Sequence, residues 1–316
     1  MKVGLAGLGV MGRTHLRVLE AFEWVDQVLV FDPAVYEDIG SRKSTRMISL
    51  DNLLDSDPSY LVIASPTTSH LEIAIKAARA AVPCLIEKPI AVNLSEAMQI
   101  EEAFRGAGVL ATVGHAERFN ASITALRDKI NDGVLGEIFH VSTERVGPNP
   151  IRIRDVGVVL DLATHDLDLV HWVLGEDYVD LHATLTTEPG KKHEGLFVAN
   201  GRLSSGASVS HSVNWLTPLK RREFAVLGER GMLVADTLRA ELKFYSRGTE
   251  ETLWTAMEHI TGSIVGEEIK FALRFDEPLK LQHEAVRDEL QGTRETSVCR
   301  VADSIRVMKI IDEFVY

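Results

Sequence analysis

Short apolar runs alternate with helical patterns over the first 115 residues of the chain. This alternation is typical of βαβ units, in which helices cover both faces of a parallel sheet. Strands are predicted at residues 2–6, 26–31, 60–64, 83–86 and 109–114, and helices at residues 12–22, 69–80 and 94–107. The pattern therefore predicts an α/β domain with a doubly wound parallel sheet, which we place at residues 1–118.

The pattern changes after about Asn120. The predicted elements are a helix at 122–130, a strand at 137–144, an irregular segment at 145–155 and a long helix after it. Apolar and polar residues then alternate at 196–203, 207–215 and 222–227, which predicts a mainly antiparallel sheet. Helices at 279–290 and 301–314 close the chain. We therefore predict a second, α+β domain at residues 119–316 with a large open sheet, and we expect the last helices to pack on the first domain.

The composition excludes several classes of protein. The chain has 316 residues, a length typical of two domains. Its formal net charge of -12 argues against a nucleic acid partner, because binding to phosphates requires a cationic surface. The apolar runs are shorter than the ~18 residues that a membrane span requires. Two cysteines are too few for a disulfide framework and indicate a reducing compartment. We therefore expect a cytoplasmic protein that binds neither nucleic acid nor membranes.

A glycine motif, Gly7-Leu8-Gly9-Val10-Met11-Gly12, joins the first predicted strand to the first predicted helix. In this context Gly7 permits a tight turn, Gly9 lets the backbone approach a pyrophosphate, and Gly12 allows the helix to pack closely on the strand. The free N–H groups at the helix N-terminus then face the phosphates. The alternative interpretation is a plain turn between a strand and a helix.

One acidic residue, Asp32, adds to the evidence from the glycine motif. Asp32 follows the second predicted strand, where a carboxylate can hydrogen-bond both ribose hydroxyls of an adenosine and repel a 2′-phosphate. We therefore predict a Rossmann domain that binds NAD. Arg42 and Lys43 are close enough in sequence to keep NADP open as the less favoured cofactor.

The tripeptide Glu87-Lys88-Pro89 directly follows a predicted strand. It therefore lies at the carboxyl edge of the sheet, where open α/β folds bind their ligands. A Lys at this edge could orient or deprotonate a hydroxyl group. The alternative is a surface Lys in a turn that Pro89 initiates.

Three ionisable residues lie on a predicted helix that is apolar nearly all round. Asp161 and His165 are four residues apart, and His165 and Asp168 are three apart, so all three share one face. Removal of a hydride from an alcohol carbon requires loss of the hydroxyl proton, and a His oriented by a carboxylate suits that task. His165 is therefore the candidate general base, with a core His as the alternative. We predict no metal site, because His171 lies six residues from His165 and points to a different face.

These motifs together resemble the glucose-fructose oxidoreductase, inositol dehydrogenase and rhizopine-catabolism (Gfo/Idh/MocA) family of oxidoreductases. The resemblance covers nearly the whole chain and rests on several motifs in the same order. They are the glycine motif, the Pro66–His70 turn, Glu87-Lys88-Pro89, residues 114–120, the pair Asp161 and His165, and the helix entry at 277–279.

The resemblance implies roles for individual residues. It implies that Lys88 contacts the substrate and the nicotinamide, that Asp161 and His165 contact the reacting hydroxyl, and that His165 is the base. It also implies that Pro66, His70, Glu87 and Arg118 line the cofactor or the pocket. Together with the glycine motif and Asp32, the predicted cofactor contacts are Gly7, Gly9, Val10, Met11, Gly12, Asp32, Ser65, Pro66, Thr67, His70, Glu87, Lys88 and Arg118. The resemblance also implies that the open sheet forms a homodimer or homotetramer.

Within the family, residues 117–120, 145–148 and 152–155 resemble the nucleotide-sugar 3-dehydrogenases that act on UDP-N-acetylglucosamine. Arginines are suitable ligands for a diphosphate, and Arg145, Arg152 and Arg154 could supply them. The predicted substrate contacts are Lys88, Arg118, Phe119, Arg145, Arg152, Arg154, Asp161 and His165. The arginines could instead form salt bridges between domains or subunits. We therefore predict an NAD-dependent dehydrogenase that acts on the CH–OH group of a sugar-like ring. The alternatives are a cyclitol such as myo-inositol as substrate, and an NAD-binding sensor without turnover.

Overall fold

The computed structural model describes residues 1–35, 42–149, 156–248, 265–293 and 296–315. The chain divides into two compact units. The first contains Met1–Ala116 and Glu277–Tyr316, and the second contains Glu117–Asp276. The end of the chain therefore belongs to the same unit as its beginning.

A seven-stranded sheet forms the centre of the first unit. Its strands are β1 (Lys2–Ala6), β2 (Gln27–Phe31), β3 (Ser44–Arg46), β4 (Tyr60–Ile63), β5 (Cys84–Ile86), β6 (Ala111–Val113) and β15 (Cys299–Arg300). The order β3-β2-β1-β4-β5-β6 is parallel throughout, and β15 pairs antiparallel with β6 at the edge. This is the strand order of a dinucleotide-binding Rossmann domain, so the predicted fold is confirmed.

The helices of the first unit are α1 (Val10–Ala21), α2 (Leu50–Asp55), α3 (His70–Arg79), α4 (Leu94–Ala107), α7 (Pro278–Gln291) and α8 (Val301–Val315). Local sequence determines several of their ends. The Asn93 side chain accepts a hydrogen bond from the Glu96 N–H at the start of α4, and Gly108 ends that helix with φ 66°. Helix α7 packs against α1, and α8 packs against α4.

The second unit contains an eight-stranded sheet in the order β14-β13-β12-β11-β7-β10-β9-β8. The strands are β7 (Ile138–Pro148), β8 (Tyr178–Thr186), β9 (Leu196–Leu203), β10 (Ser208–Asn214), β11 (Leu216–Gly228), β12 (Gly231–Asp236), β13 (Glu241–Arg247) and β14 (Val265–Lys270). Strands β7 and β10 are parallel, whereas the other neighbours are antiparallel. The prediction of a mainly antiparallel sheet is therefore confirmed.

Helices α5 (Ala121–Asn131) and α6 (Thr164–Leu174) pack on this sheet. Along β9 the side chains of Phe197 and Ala199 are buried, whereas those of Val198 and Asn200 between them are exposed. This alternation is typical of a sheet with one covered face and one open face.

Two details of the second unit differ from the sequence-based predictions. Strand β7 continues to Pro148, although an irregular segment was expected from residue 145, because Arg145 pairs in register with Val213 of β10 and Arg222 of β11. The rest of that segment, 150–155, lies outside the described residues. The predicted long helix begins with a π-helical turn, Val159–Ala163, before α6.

None of the helices that the structure describes has the length and apolar character that a membrane span requires.

Candidate active site

The loop between β1 and α1 is shaped by its glycines. Gly7 has φ +102°, and a Cβ atom at this position would lie 2.6 Å from the backbone nitrogen of Ser65. A Cβ atom at Gly12 would collide with the carbonyl oxygen of Gly7. At Gly9, in contrast, a Cβ atom would meet none of the described atoms within 4 Å. The loop is therefore tightly packed at Gly7 and Gly12 and open at Gly9, beside the N-terminus of α1. This arrangement fits a pyrophosphate.

Asp32 lies beside this loop. Its Oδ2 accepts a hydrogen bond of 2.6 Å from the Leu8 N–H, and its Oδ1 accepts one of 2.8 Å from the Ala34 N–H. The side chain is half-buried, so a carboxylate is available to ribose hydroxyls next to the glycine loop. The Lys43 ammonium, which could have favoured a 2′-phosphate, donates a 2.6 Å hydrogen bond to the Phe22 carbonyl. This geometry fits NAD.

The segment after β4 contains the predicted cofactor residues Ser65, Pro66 and Thr67, and His70 is the first residue of α3. His70 is buried, with its Nε2 3.0 Å from the Ser65 carbonyl and its Nδ1 3.1 Å from the Pro89 carbonyl. Burial lowers the pKa of His70, although these carbonyls oppose the shift. His70 therefore connects the loop after β4 to the loop after β5, and its contact with a cofactor stays a prediction.

Glu87 and Lys88 directly follow β5, as the sequence predicted. The Glu87 side chain is buried, and its Oε1 lies 2.8 Å from Nε2 of His15. Burial raises the pKa of Glu87, but the hydrogen bond with His15, together with the charge and backbone of Lys88, outweighs burial and lowers it. Glu87 is therefore an anion near neutral pH, and the half-buried Lys88 follows it with a cis peptide bond to Pro89.

In the second unit, Arg118 forms a buried ion pair with Asp168. The Arg118 Nε donates a 2.8 Å hydrogen bond to Oδ2, and Nη2 donates to Oδ1 of the same carboxylate. This bidentate pair joins the 3₁₀ turn Ala116–Phe119 to α6, and the neighbouring Phe119 is also buried. Asp168 was predicted to share a face with His165 and Asp161, but the structure gives its carboxylate a specific cationic partner.

Arg145 forms a second buried ion pair. From β7 its Nε donates a 2.7 Å hydrogen bond to Oδ1 of Asp166, and its Nη1 donates a 3.2 Å bond to Oε1 of Glu117. Burial lowers the pKa of Arg145, but these two carboxylates outweigh it and raise the pKa. Two carboxylates therefore already neutralise the cation that was predicted to bind a diphosphate. Arg152 and Arg154, predicted for the same role, lie outside the described residues.

Asp161 and His165 lie at the junction of the π-helical turn and α6. Asp161 is buried, whereas His165 is partly exposed. The Glu194 carboxylate accepts a 3.1 Å hydrogen bond from the Val159 N–H at the start of this helical segment. A side-chain carboxylate therefore occupies the positive end of this helix, and π-helical turns of this kind are frequent at functional sites.

Several partners of the predicted residues were missed by sequence reasoning. His15, Glu117, Asp166 and Glu194 each contact a predicted residue or its helix. His15 could have been noticed, because it lies three residues after Gly12 on the buried side of α1. Glu194 lies 35 residues after Val159, and no local pattern signals that contact.

Comparison with known proteins agrees with this description. Residues 1–115 match the family model described as oxidoreductase family, NAD-binding Rossmann fold. Residues 123–234 match the model described as the GFO/IDH/MocA C-terminal domain. Both halves of the chain therefore match models of one family.

Individual relatives differ in what they act on. UDP-N-acetylglucosamine 3-dehydrogenase of Acidithiobacillus ferrooxidans is 25% identical over 248 residues, 78% of this chain and 78% of that protein. Myo-inositol 2-dehydrogenase of Thermotoga maritima is 24% identical over 258 residues, 76% of each chain. A solved structure of UDP-N-acetylglucosamine 3-dehydrogenase from Acidithiobacillus ferrooxidans has a TM-score of 0.81 at 21% identity and covers 98% of this chain and 94% of that one. At this identity the structural likeness shows a shared fold.

Proposed function

Because the chain belongs to the Gfo/Idh/MocA family of oxidoreductases, with an NAD-binding Rossmann domain, we propose that it oxidises a secondary hydroxyl of a nucleotide sugar such as UDP-N-acetylglucosamine. The coarser activity, an NAD-dependent dehydrogenase acting on sugar or polyol hydroxyls, follows from the family. The ring position and the nucleotide are the finer part of the proposal.

The observation that carries the proposal is the division of roles on the helical segment 159–174. Asp166 and Asp168 are the partners of Arg145 and Arg118 in buried ion pairs, which gives both acids a structural role. The partly exposed His165 lies beside these anchored acids, one helical turn after Asp161. The proposal therefore assigns the proton chemistry to His165, with Asp161 orienting it.

Bound NAD supplies the acceptor for the hydride that leaves the alcohol carbon. The residues of this chain deal with the proton. His165 accepts the hydroxyl proton as the O–H bond breaks and the carbonyl forms, so the alcohol loses one hydride and one proton. The Lys88 ammonium, which follows the anionic Glu87, contacts the hydroxyl oxygen and stabilises the charge that develops there. Asp161 stabilises the imidazolium that His165 becomes.

The arginines decide between two substrate classes. Arg152 and Arg154 are the proposed diphosphate ligands, because guanidinium groups bind phosphate oxygens in a bidentate manner. Arg145 is already paired with Asp166 and Glu117, which favours a cyclitol as the second candidate, since a cyclitol needs no diphosphate ligand.

The deciding experiment is NAD reduction by the purified protein with UDP-N-acetylglucosamine and myo-inositol in parallel, each also with NADP. We expect turnover of the nucleotide sugar with NAD. Turnover of myo-inositol alone would shift the substrate class to cyclitols. Binding of NADH without reduction of NAD by any sugar nucleotide or cyclitol would contradict the proposed dehydrogenase and favour the sensor.

Assembly and location are also proposals. We propose that the open sheet forms a homodimer or homotetramer and that the protein works in the cytoplasm. Light scattering during size-exclusion chromatography measures the first directly.

A further inference from the structure

Four buried side chains form a continuous hydrogen-bonded chain inside the first unit. The Tyr60 hydroxyl lies 2.9 Å from Nδ1 of His283, and Nε2 of His283 lies 2.9 Å from Nδ1 of His15. Nε2 of His15 lies 2.8 Å from Oε1 of Glu87. Tyr60, His283 and His15 are 0% exposed, and Glu87 is 6% exposed. The chain joins β4, α7 and α1 to the loop after β5.

The Glu87 carboxylate fixes one donor of the hydrogen-bonded chain. An ionised carboxylate only accepts, so His15 donates from Nε2 to Glu87. One proton lies between Nδ1 of His15 and Nε2 of His283, and one lies between Nδ1 of His283 and the Tyr60 oxygen. Each of the four ring nitrogens therefore has one partner.

Burial keeps the far end of the hydrogen-bonded chain uncharged. Burial lowers the pKa of His283 well below its ordinary value. Burial also raises the pKa of Tyr60, although the charge of Arg287 on α7 opposes the shift. His283 therefore stays neutral and Tyr60 stays protonated.

The near end of the chain is Glu87, which several groups surround. His15 faces it from α1, Lys88 follows it in sequence, and its charge reaches His70 on α3. On another side, a Cβ atom at Gly114 would lie 2.8 Å from Oε1, so the carboxylate fills the space that the glycine leaves. The second oxygen, Oε2, accepts a 3.2 Å hydrogen bond from the Lys88 N–H. The same carboxylate thus contacts both the histidine chain and the backbone of Lys88.

We propose that His15 and His283 are positioning residues for the reaction. They hold Glu87 as an oriented anion, and Glu87 in turn fixes the backbone of Lys88 and places a negative charge beside it. This inference rests on the role of Lys88 in the proposed function. It assigns a function to α7, the helix that contains His283, although α7 lies far from the glycine loop in sequence.

The first test uses a matched pair of variants at one site. His15→Gln keeps an N–H donor near the position of Nε2, whereas His15→Leu is of similar size and has no donor. Without the donor, the pKa of Glu87 rises, because burial is less opposed. The carboxylate is then held less firmly beside Lys88, so kcat falls roughly tenfold in the Leu variant. The Gln variant stays close to the wild type in kcat.

NADH affinity, measured by fluorescence titration, serves as the control for folding. Equal losses of kcat in the Gln and Leu variants, or a Leu variant with the kcat of the wild type, would overturn the positioning role. His283→Leu should also lower kcat, but by less, because His283 acts through His15. An unchanged kcat in this variant would also contradict the proposed role of the hydrogen-bonded chain.

A second test does not depend on catalysis. NMR of the wild-type protein with nitrogen-labelled histidine reports which ring nitrogens carry a proton, and single variants assign the signals. We expect a proton on Nε2 of His15 and a neutral His283 ring at neutral pH. An unprotonated Nε2 at His15 or a doubly protonated His283 ring would overturn the inference. If the wild-type protein has no dehydrogenase activity, the proposed function fails, while this spectrum still tests the hydrogen-bonded chain.

Discussion

The two units hold their buried carboxylates in different ways. In the first unit, Glu87 accepts a hydrogen bond from the imidazole of His15. In the second unit, Asp168 and Asp166 each pair with a guanidinium group, that of Arg118 or Arg145. An imidazole can change its protonation near neutral pH, whereas a guanidinium group keeps its charge at any physiological pH.

This difference gives the groups of the two units different roles. The arginine pairs fix the strand and the helical segment around His165, and their charges stay constant while the proton moves. In the first unit, the hydrogen-bonded chain of His283 and His15 instead keeps the Glu87 carboxylate ionised and oriented beside Lys88. We therefore expect changes at the arginine pairs to alter stability, and changes at His165 to alter turnover.

The largest expected effect tests the turnover side of the comparison. His165→Ala should lower kcat by about 10² to 10⁴-fold, because general-base catalysis contributes that much. NADH affinity should stay nearly unchanged, since the glycine loop and Asp32 belong to the first unit. Steady-state kinetics and a fluorescence titration on the same preparation measure both. Weaker NADH binding with kcat preserved would contradict the assigned role.

The next effect tests the framework side. Asp168→Asn removes the charge that compensates the buried Arg118, so the free energy of unfolding should fall by about 3 to 5 kcal/mol. Glu144→Gln is the matched control in the same unit, because Glu144 pairs with the exposed Arg221 and its loss should cost about 0.5 kcal/mol. Urea denaturation of both variants and the wild type measures the difference. Equal losses in the free energy of unfolding would show that the buried ion pair stabilises the protein no more than the exposed one does.

The sequence predicts the two sides of this comparison unequally. The positions of the glycine loop and Asp32 can be predicted from sequence, because each residue has a local backbone task and the motif lies between a strand and a helix. The parallel sheet of the first unit also follows from the alternation of strands and helices. These features depend on neighbours in sequence.

The ion pairs and the histidine chain are not predicted, because their partners are distant in sequence. Arg118 and Asp168 are 50 residues apart, and His15 and His283 are 268 apart. Arg145 shows the consequence, since the sequence predicts a diphosphate ligand, whereas in the structure its guanidinium pairs with Asp166 and Glu117. Only the fold brings such groups together, and a buried charge then requires a partner.

The most direct test of the central claim is isotopic. The substrate that turns over is prepared with deuterium on the carbon of the reacting hydroxyl and incubated with NAD and the wild-type protein. We expect the deuterium to appear in the NADH that forms, which mass spectrometry detects, because the hydride leaves that carbon directly. Formation of unlabelled NADH from the labelled substrate would contradict the account.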